Sequence, residues 1–168
     1  MTNLELIKKK IFNSAAAFEK KLNFYRFKKH KIVFTNGCFD IMHLGHIDYL
    51  SKAADLGDTL IVGLNSDVSV KKIKGNDRPI NDINSRSLLL ASLSFVDAVV
   101  IFDEETPKDL IRFIMPDVLV KGNDYTIENI AGSADVLNNG GKVITIDLVK
   151  GYSTTLIEKK ILKNAGKD

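Results

Sequence analysis

The 168-residue sequence has one cysteine, three prolines and no tryptophan. Its single thiol, Cys38, cannot form an internal disulfide, which excludes a disulfide-stapled secreted domain and favours a reducing compartment. No apolar run approaches the ~18 residues that span a bilayer, and the opening MTNLELIKKK lacks the apolar stretch of a secretory signal. We therefore expect a cytoplasmic protein with no membrane partner.

The sequence also lacks a large excess of one charge. Its 24 Lys and Arg against 21 Asp and Glu give a net charge of +3, with +7 on residues 1–31 and −4 on the remainder. This balance is not that of a nucleic-acid-binding protein, so an anion site in the main body must be a local arrangement. The hydrophobic fraction of 45% and the charged fraction of 27% are those of a globular domain, which excludes disorder and a collagen-like fibre.

Apolar residues recur at helical spacing near the N-terminus, at Leu4, Ile7, Ile11, Phe18, Leu22 and Tyr25. The pattern predicts an amphipathic helix over 4–25, with a break near Asn13-Ser14. We interpret residues 1–30 as an N-terminal helical extension that packs on the main domain or on a second copy in a homodimer. A basic arm for membranes or nucleic acid is the alternative, but a solvated lysine face explains the charge without it.

From Lys31 onward, short apolar runs alternate with helical patterns. The runs that read as buried strands are 31–36, 59–65, 98–102, 117–121 and 142–147. Helices are predicted at 44–56, around 88–93, after Thr106-Pro107, at 131–138 and at 156–163. Thr155 and Glu158 have the spacing of a capping box for the last helix. Residues 66–82 are predicted to be a loop. The alternation predicts an α/β fold over 31–168, a Rossmann-like doubly wound sheet of five parallel strands that binds its ligand at their carboxyl ends.

The segment after the first strand, residues 35–46, carries two histidines three residues apart at a helix start, His43 and His46. Gly37 permits a sharp turn, Gly45 leaves room beside the histidine face, and free N–H groups lie at the helix N-terminus. Together these features suit a polyphosphate, for which they would form a cationic cradle. Three alternatives remain at this point: ordinary surface or capping histidines, a zinc site with Cys38, and Cys38 as a nucleophile.

The stretch GCFDIMHLGH resembles the GxFDxxHxGH signature of the HxGH nucleotidyltransferase superfamily, in its cytidylyltransferase-like group. Three further stretches resemble the heptose 1-phosphate adenylyltransferase branch: LNSDVSVKKIKGNDRPIN (64–81), VKGNDY (120–125) and GYSTTLIEKKI (151–161). The resemblance covers about residues 31–162.

This resemblance implies transfer of AMP from ATP to D-glycero-β-D-manno-heptose 1-phosphate, with Mg²⁺ accompanying ATP, in a homodimeric enzyme that makes ADP-heptose for lipopolysaccharide. A cytidylyltransferase for a small polyol or amino-alcohol phosphate, such as glycerol 3-phosphate, is the alternative within enzymes. A nucleotide-binding regulator without turnover is the alternative outside them.

The resemblance also assigns roles to residues. The catalytic residues it implies are His43, His46 and Lys74, with Lys71 and Lys72 as rivals for the lysine. The nucleotide-binding residues are Asn36, Gly37, Cys38, Phe39, Gly45, Lys121, Gly122, Asp124, Tyr152, Ser153, Thr154 and Thr155. The substrate-binding residues are Asp40, Arg78 and Arg86, where Asp40 orients a histidine or the metal, or caps the helix, and Asp124 binds hydroxyls or orders Arg86.

One departure from the family pattern concerns the segment before the final Ser-Thr-Thr. Many relatives have an arginine there, whereas residues 147–151 read DLVKG. Lys150 is one candidate replacement, and phosphate contacts from another part of the chain are the alternative.

Overall fold

A computed structural model describes residues 1–124 and 126–166 of the chain. Within them the helices are α1 (Asn3–Lys8), α2 (Ala15–Phe27), α3 (Leu44–Ala54), α4 (Asp67–Lys74), α5 (Ile83–Ser92), α6 (Lys108–Ile114), α7 (Ser133–Asn138) and α8 (Thr154–Asn164), with a 3₁₀ turn at Ile127–Asn129. The strands are β1 (Ile11–Phe12), β2 (Ile32–Gly37), β3 (Thr59–Asn65), β4 (Ala98–Phe102), β5 (Val118–Gly122) and β6 (Lys142–Ile146). None of the helices in the described residues has the length and apolar character needed to cross a membrane.

The strands form one parallel sheet in the order β1-β4-β3-β2-β5-β6. After β4 the chain crosses to the other side of β2 and forms β5 there. The direction of strand addition therefore reverses between β2 and β5. In open α/β sheets the crevice at such a reversal, above the carboxyl ends of the strands, is where ligands bind.

A hydrophobic cluster lies on each face of the sheet. One buries Phe18 of α2 with Phe34 of β2, and the other buries Leu50 of α3 with Val33 of β2. Val33 and Phe34 enter different clusters because successive side chains of a strand point to opposite faces. Burial on both faces explains the continuous apolar runs, and the predicted doubly wound α/β fold is confirmed.

The predicted strand count of five is wrong, because the N-terminal segment adds a sixth strand. Ile11 and Phe12 of β1 pair with Val99 and Val100 of β4. The break predicted near Asn13-Ser14 is present, since the Ser14 side chain accepts a hydrogen bond from the N–H of Ala17 and caps α2. A two-residue strand escaped prediction because Ile11 also fits the helical spacing.

The prediction of a loop over 66–82 is also wrong for the first half of this segment, which forms the helix α4. The Ser66 side chain accepts from the N–H of Ser69 and caps this helix, and Val70 buries its apolar side chain. Three lysines in the last turn stabilise the helix through its dipole. The sequence did not predict this helix because the segment is mostly polar. The loop begins at Gly75, whose φ is +101°.

The last helix begins two residues earlier than predicted. Ser153, and not Thr155, is the N-cap of α8, where its side-chain oxygen accepts from the N–H of Leu156 at 3.1 Å. Similarly, Pro107 is the N-cap residue of α6 and not its first helical residue.

Candidate active site

A cavity of about 690 Å³ opens above the carboxyl ends of the strands, where the strand order reverses. Of the eighteen predicted site residues, fifteen line it: Asn36, Gly37, Cys38, Phe39, Asp40, His43, Gly45, His46, Lys74, Lys121, Gly122, Asp124, Tyr152, Ser153 and Thr154. Arg78, Arg86 and Thr155 do not. The fold therefore assembles one site from segments more than a hundred residues apart, while the role of each residue toward a ligand stays a prediction.

His43 and His46 lie on one wall of the cavity with their rings stacked. His43 is the N-cap residue of α3, with extended backbone at φ −146°, and His46 lies in the first turn. The ring centroids are 3.8 Å apart, and the edge of Phe39 packs against His46 at 5.4 Å. Within the described part of the chain, the Nδ1 atoms of both histidines are buried and have no hydrogen-bond partner.

The protonation of this pair differs from the predicted cationic cradle. Burial lowers the pKa of His43, and burial together with the charges of His43 and Lys74 lowers the pKa of His46 to about 4. Both rings are therefore neutral at pH 7, and each offers one N–H donor. A bound phosphate would favour the imidazolium form and thereby draw protons into the site.

Gly45 allows the His43 ring to lie close to the backbone of α3, and a side chain at position 45 would push the ring aside by a few tenths of an ångström. A Cβ at position 45 would lie 3.1 Å from Cε1 and Nδ1 of the His43 ring and 3.4 Å from Cβ of Tyr152. Gly37 stands in a similar relation to Phe39, whose ring would lie 3.0 Å from an added Cβ. Phe39 itself has φ +46°, which turns the chain sharply after β2.

Asp40 lines the cavity, and its carboxylate holds a neighbouring segment. It accepts hydrogen bonds from the backbone N–H groups of Ile80 and Asn81 at 2.8–2.9 Å and from Arg78 at 3.2 Å. Burial raises the pKa of Asp40, but these donors outweigh burial and hold the pKa below its ordinary value. Asp40 therefore anchors the segment around Arg78. Among the described residues it neither caps α3 nor bonds to a histidine, while a role toward a metal or substrate stays a prediction.

Arg86 was predicted to bind substrate, and the structure corrects its placement. Its side chain is fully buried and donates to the backbone oxygens of Asn81, Cys38 and Asn65. It also pairs with Asp67, and not with Asp124, at 2.6 Å. Arg86 therefore braces the carboxyl ends of β2 and β3 from beneath the cavity.

Arg78 also differs from its prediction as a substrate fork. One guanidinium nitrogen bonds to Asp40 and the other to Glu158 of α8, so both ends of the fork contact protein carboxylates. Thr155 does not line the cavity, and it lies in the first turn of α8, which Ser153 caps.

Two lysines bring positive charge to the cavity. Lys74 ends α4 and lines the cavity, whereas Lys71 and Lys72 do not, which favours Lys74 among the three. Lys121 donates to the backbone oxygen of Asn36 at 3.3 Å, and burial lowers its pKa. From the segment without the family arginine, Leu148 and Val149 line the cavity and Lys150 does not.

Several lining residues were missed by the sequence prediction: Tyr49, Asn65, Ile73, Glu105, Thr106, Pro107, Asn129, Ile130, Ala131, Leu148 and Val149. Glu105–Pro107 follow the carboxyl end of β4, so the rule that predicted the other loops would have found them. Leu148 and Val149 likewise follow the carboxyl end of β6, but their apolar side chains do not indicate contact with a charged ligand.

The alternative chemistries at Cys38 find no support. Burial raises the pKa of the thiol above its ordinary value, which opposes a reactive thiolate. In residues 1–124 and 126–166, no group of three or more His, Cys, Asp or Glu side chains is arranged to hold a metal ion.

Comparisons with known proteins identify a family model and several relatives of this chain. Residues 34–160 match the cytidylyltransferase-like family. The chain is 56% identical over 143 residues to a bifunctional protein HldE of Campylobacter jejuni and 56% identical over 130 residues to one of Marinomonas, covering 85% and 77% of this chain. It covers only 30% and 27% of those relatives, so it spans less than a third of their length.

Among solved structures, a lipopolysaccharide core biosynthesis protein from Thermoplasma volcanium is 31% identical with a TM-score of 0.59, over 74% of this chain and 99% of that one. A pantoate-beta-alanine ligase from Francisella tularensis, solved in complex with beta-gamma ATP and beta-alanine, aligns over 94% of this chain and 79% of its own with a TM-score of 0.59. Its identity of 18% indicates a shared fold alone.

Proposed function

The chain belongs to the cytidylyltransferase-like family, and from that premise we propose that it transfers AMP from ATP to D-glycero-β-D-manno-heptose 1-phosphate. The products are ADP-heptose, for lipopolysaccharide-type glycan precursors, and pyrophosphate. The HldE relatives support the adenylyl donor and the heptose acceptor. The relative that takes part in lipopolysaccharide core biosynthesis supports the class of pathway.

The observation that carries this proposal is the stacked pair of neutral imidazoles at the start of α3, inside one cavity with Lys74 and the start of α8. ATP and a sugar phosphate together bring about six negative charges to the site. Imidazole N–H groups, backbone N–H groups at the two helix starts and the lysine ammonium are donors of the kind that such charge requires.

The proposed reaction needs no protein nucleophile. A phosphate oxygen of the heptose 1-phosphate attacks the α-phosphorus of ATP, a new P–O bond forms, and the bond from the α-phosphorus to the bridging oxygen breaks. The electron pair of that bond leaves with pyrophosphate. The protein contributes by holding two anions that repel each other in line and by donating hydrogen bonds to the oxygens that gain charge.

Magnesium enters this proposal as part of the MgATP substrate. Of the cavity carboxylates, Asp40 already accepts several hydrogen bonds, and the described residues contain no cluster of three ligand-type side chains. We propose that phosphate oxygens and water supply most of the ligands, as Mg²⁺ prefers.

The test is pyrophosphate release measured with ATP or CTP as the nucleotide and heptose 1-phosphate or glycerol 3-phosphate as the acceptor. We expect turnover with ATP and the heptose phosphate. A preference for CTP or for glycerol 3-phosphate would replace the proposal with the cytidylyltransferase alternative. Nucleotide binding without turnover on either acceptor would favour a regulator.

A further inference from the structure

Arg78 connects three segments that meet beside the cavity. Its guanidinium contacts Asp40, which follows β2, and Glu158 on α8, while Arg78 itself lies in the loop after α4. The Asp40 side chain is 1% exposed, and those of Arg78 and Glu158 are 23% and 22% exposed. We call this set of three residues the Arg78 bridge.

The inner end of the Arg78 bridge is held by several hydrogen bonds. The Asp40 carboxylate also accepts from the backbone N–H groups of Ile80 and Asn81, and the Asn81 side chain donates to the backbone oxygen of Asp40 at 2.6 Å. The loop around Arg78 is therefore fixed to the turn that leads into His43 and His46.

The outer end of the Arg78 bridge holds a helix with little packing of its own. None of residues 154–164 is buried, and Leu156, Ile161 and Leu162 are each about half exposed. Of the side-chain hydrogen bonds and ion pairs in residues 1–124 and 126–166, the Glu158–Arg78 pair alone joins α8 to a distant part of the chain.

The geometry of α8 links this ion pair to the cavity. Thr154, which lines the cavity, is four residues before Glu158, so the two lie on the same helical face one turn apart. A restraint on Glu158 therefore fixes where the first turn of α8, with Ser153 and Thr154, meets the space opposite His43.

We infer that Arg78 is a positioning residue that acts through Glu158 to hold the start of α8 against the phosphate tail of the nucleotide. This inference rests on the proposed nucleotide function of the cavity. It differs from substrate binding by Arg78 because the guanidinium contacts two protein carboxylates and does not line the cavity.

The experiment measures the affinities of the full chain for a non-hydrolysable ATP analogue and for AMP by calorimetry, in Arg78→Gln, Glu158→Gln and the double variant. We expect each single variant to bind the ATP analogue about tenfold more weakly, the scale of one charge-assisted hydrogen bond. AMP lacks the β- and γ-phosphates, so its affinity should stay the same. The double variant should bind no more weakly than Arg78→Gln alone.

Arg112→Gln is the matched control, since Arg112 pairs with Asp109 and Asp135 on the surface and does not line the cavity. An equal loss of AMP and ATP affinity, or a raised KM for the acceptor alone, would overturn the inference. If Arg78→Gln unfolds, Glu158→Gln alone decides the question, because the Glu158→Gln substitution leaves the Arg78–Asp40 pair in place. A wild-type chain that binds the ATP analogue but releases no pyrophosphate would refute the adenylyl transfer and leave this binding test intact.

Discussion

The imidazole rings of His43 and His46 stack with their centroids 3.8 Å apart and their planes 28° apart. Two unit charges at about 4 Å repel by about 1 kcal/mol in water and about 4 kcal/mol near a protein surface. The free pair therefore resists double protonation, and a bound phosphate would supply the charge that reverses this. In the unliganded protein the pair therefore offers neutral N–H donors to the cavity.

Removal of His46 tests its catalytic role. His46→Ala should lower kcat by on the order of 10²–10³, the scale for the loss of one donor to a transition state. His30→Ala is the control, because His30 lies off the cavity and contacts Thr59. Steady-state pyrophosphate release checks both, and unchanged turnover in His46→Ala would remove this histidine from the mechanism.

Gly45→Ala separates activity from stability. An added methyl group would lie 3.1 Å from the His43 ring and force it to move. Displacement of a catalytic group by a fraction of an ångström should lower kcat by about tenfold to a hundredfold. Because position 45 lies in α3, where alanine is a better helix former, thermal unfolding should show no loss of stability. A variant that is both stable and fully active would show that the His43 position is not critical.

The three lysines of α4 can be tested against one another. Lys74→Ala should lower kcat/KM by about tenfold to a hundredfold through the loss of a cation at the phosphate tail. Lys71→Ala, of the same helix and the same charge change, should remain near wild type because Lys71 does not line the cavity. Equal losses in both variants would assign the effect to the general positive charge of the helix.

The stability of the folded chain should depend on pH through His46. Burial, with the charges of His43 and Lys74, lowers its pKa to about 4 from an ordinary value of 6.5. Between these values the unfolded chain binds a proton that the folded chain does not, so the free energy of unfolding should rise from pH 4 to pH 6.5 and then level off. Urea unfolding should show a shallower rise in His46→Gln, and parallel curves for variant and wild type would contradict the prediction.

Asp40 should affect the stability of the folded chain in a separate and more acidic pH range than His46 does. Its folded pKa lies below the ordinary 3.8, so the stability that it contributes is present above that value and is lost as the pH falls below it. The slope assigned to His46 can therefore be measured without interference from Asp40.

Arg86→Met should lower the free energy of unfolding by about 3 kcal/mol, because it leaves buried carbonyl groups without donors. The affected groups are the backbone oxygens of Cys38, Asn65 and Asn81. Arg112→Met, at a surface ion pair, should change the free energy of unfolding by no more than about 0.5 kcal/mol. Chemical denaturation measures both, and a stable Arg86→Met would show that ordered water replaces the guanidinium.

The parts of the site that the sequence predicted are those that depend on local order. His43, Gly45 and His46 follow a strand and open a helix, and both the periodicity and the parallel sheet are visible in the residues themselves. The rule that ligands lie beyond the carboxyl ends of parallel strands then places these residues in one crevice with Ser153 and Thr154.

The parts of the site that the sequence did not predict depend on contacts between residues that are distant in the chain. The types of Arg78 and Arg86 suggested anion binding, but Glu158 lies 80 residues from Arg78, and the carbonyl group of Cys38 lies 48 residues from Arg86. No periodic pattern reports which carboxylate or carbonyl an arginine meets across the fold. The sequence did not predict the short strand β1 for a related reason, because this segment becomes a strand by pairing with β4. The homodimer stays a prediction.

Strand β1 has a consequence for any shortened form of this protein. Its backbone covers the outer side of β4, and Phe18 and Leu22 of the following helix cover the apolar surface beside it. A chain trimmed to start at Lys31 would leave the main-chain hydrogen-bonding groups of β4 open to other molecules. Uncovered strands of this kind pair with one another, so the trimmed chain would tend to aggregate before its chemistry could be assayed.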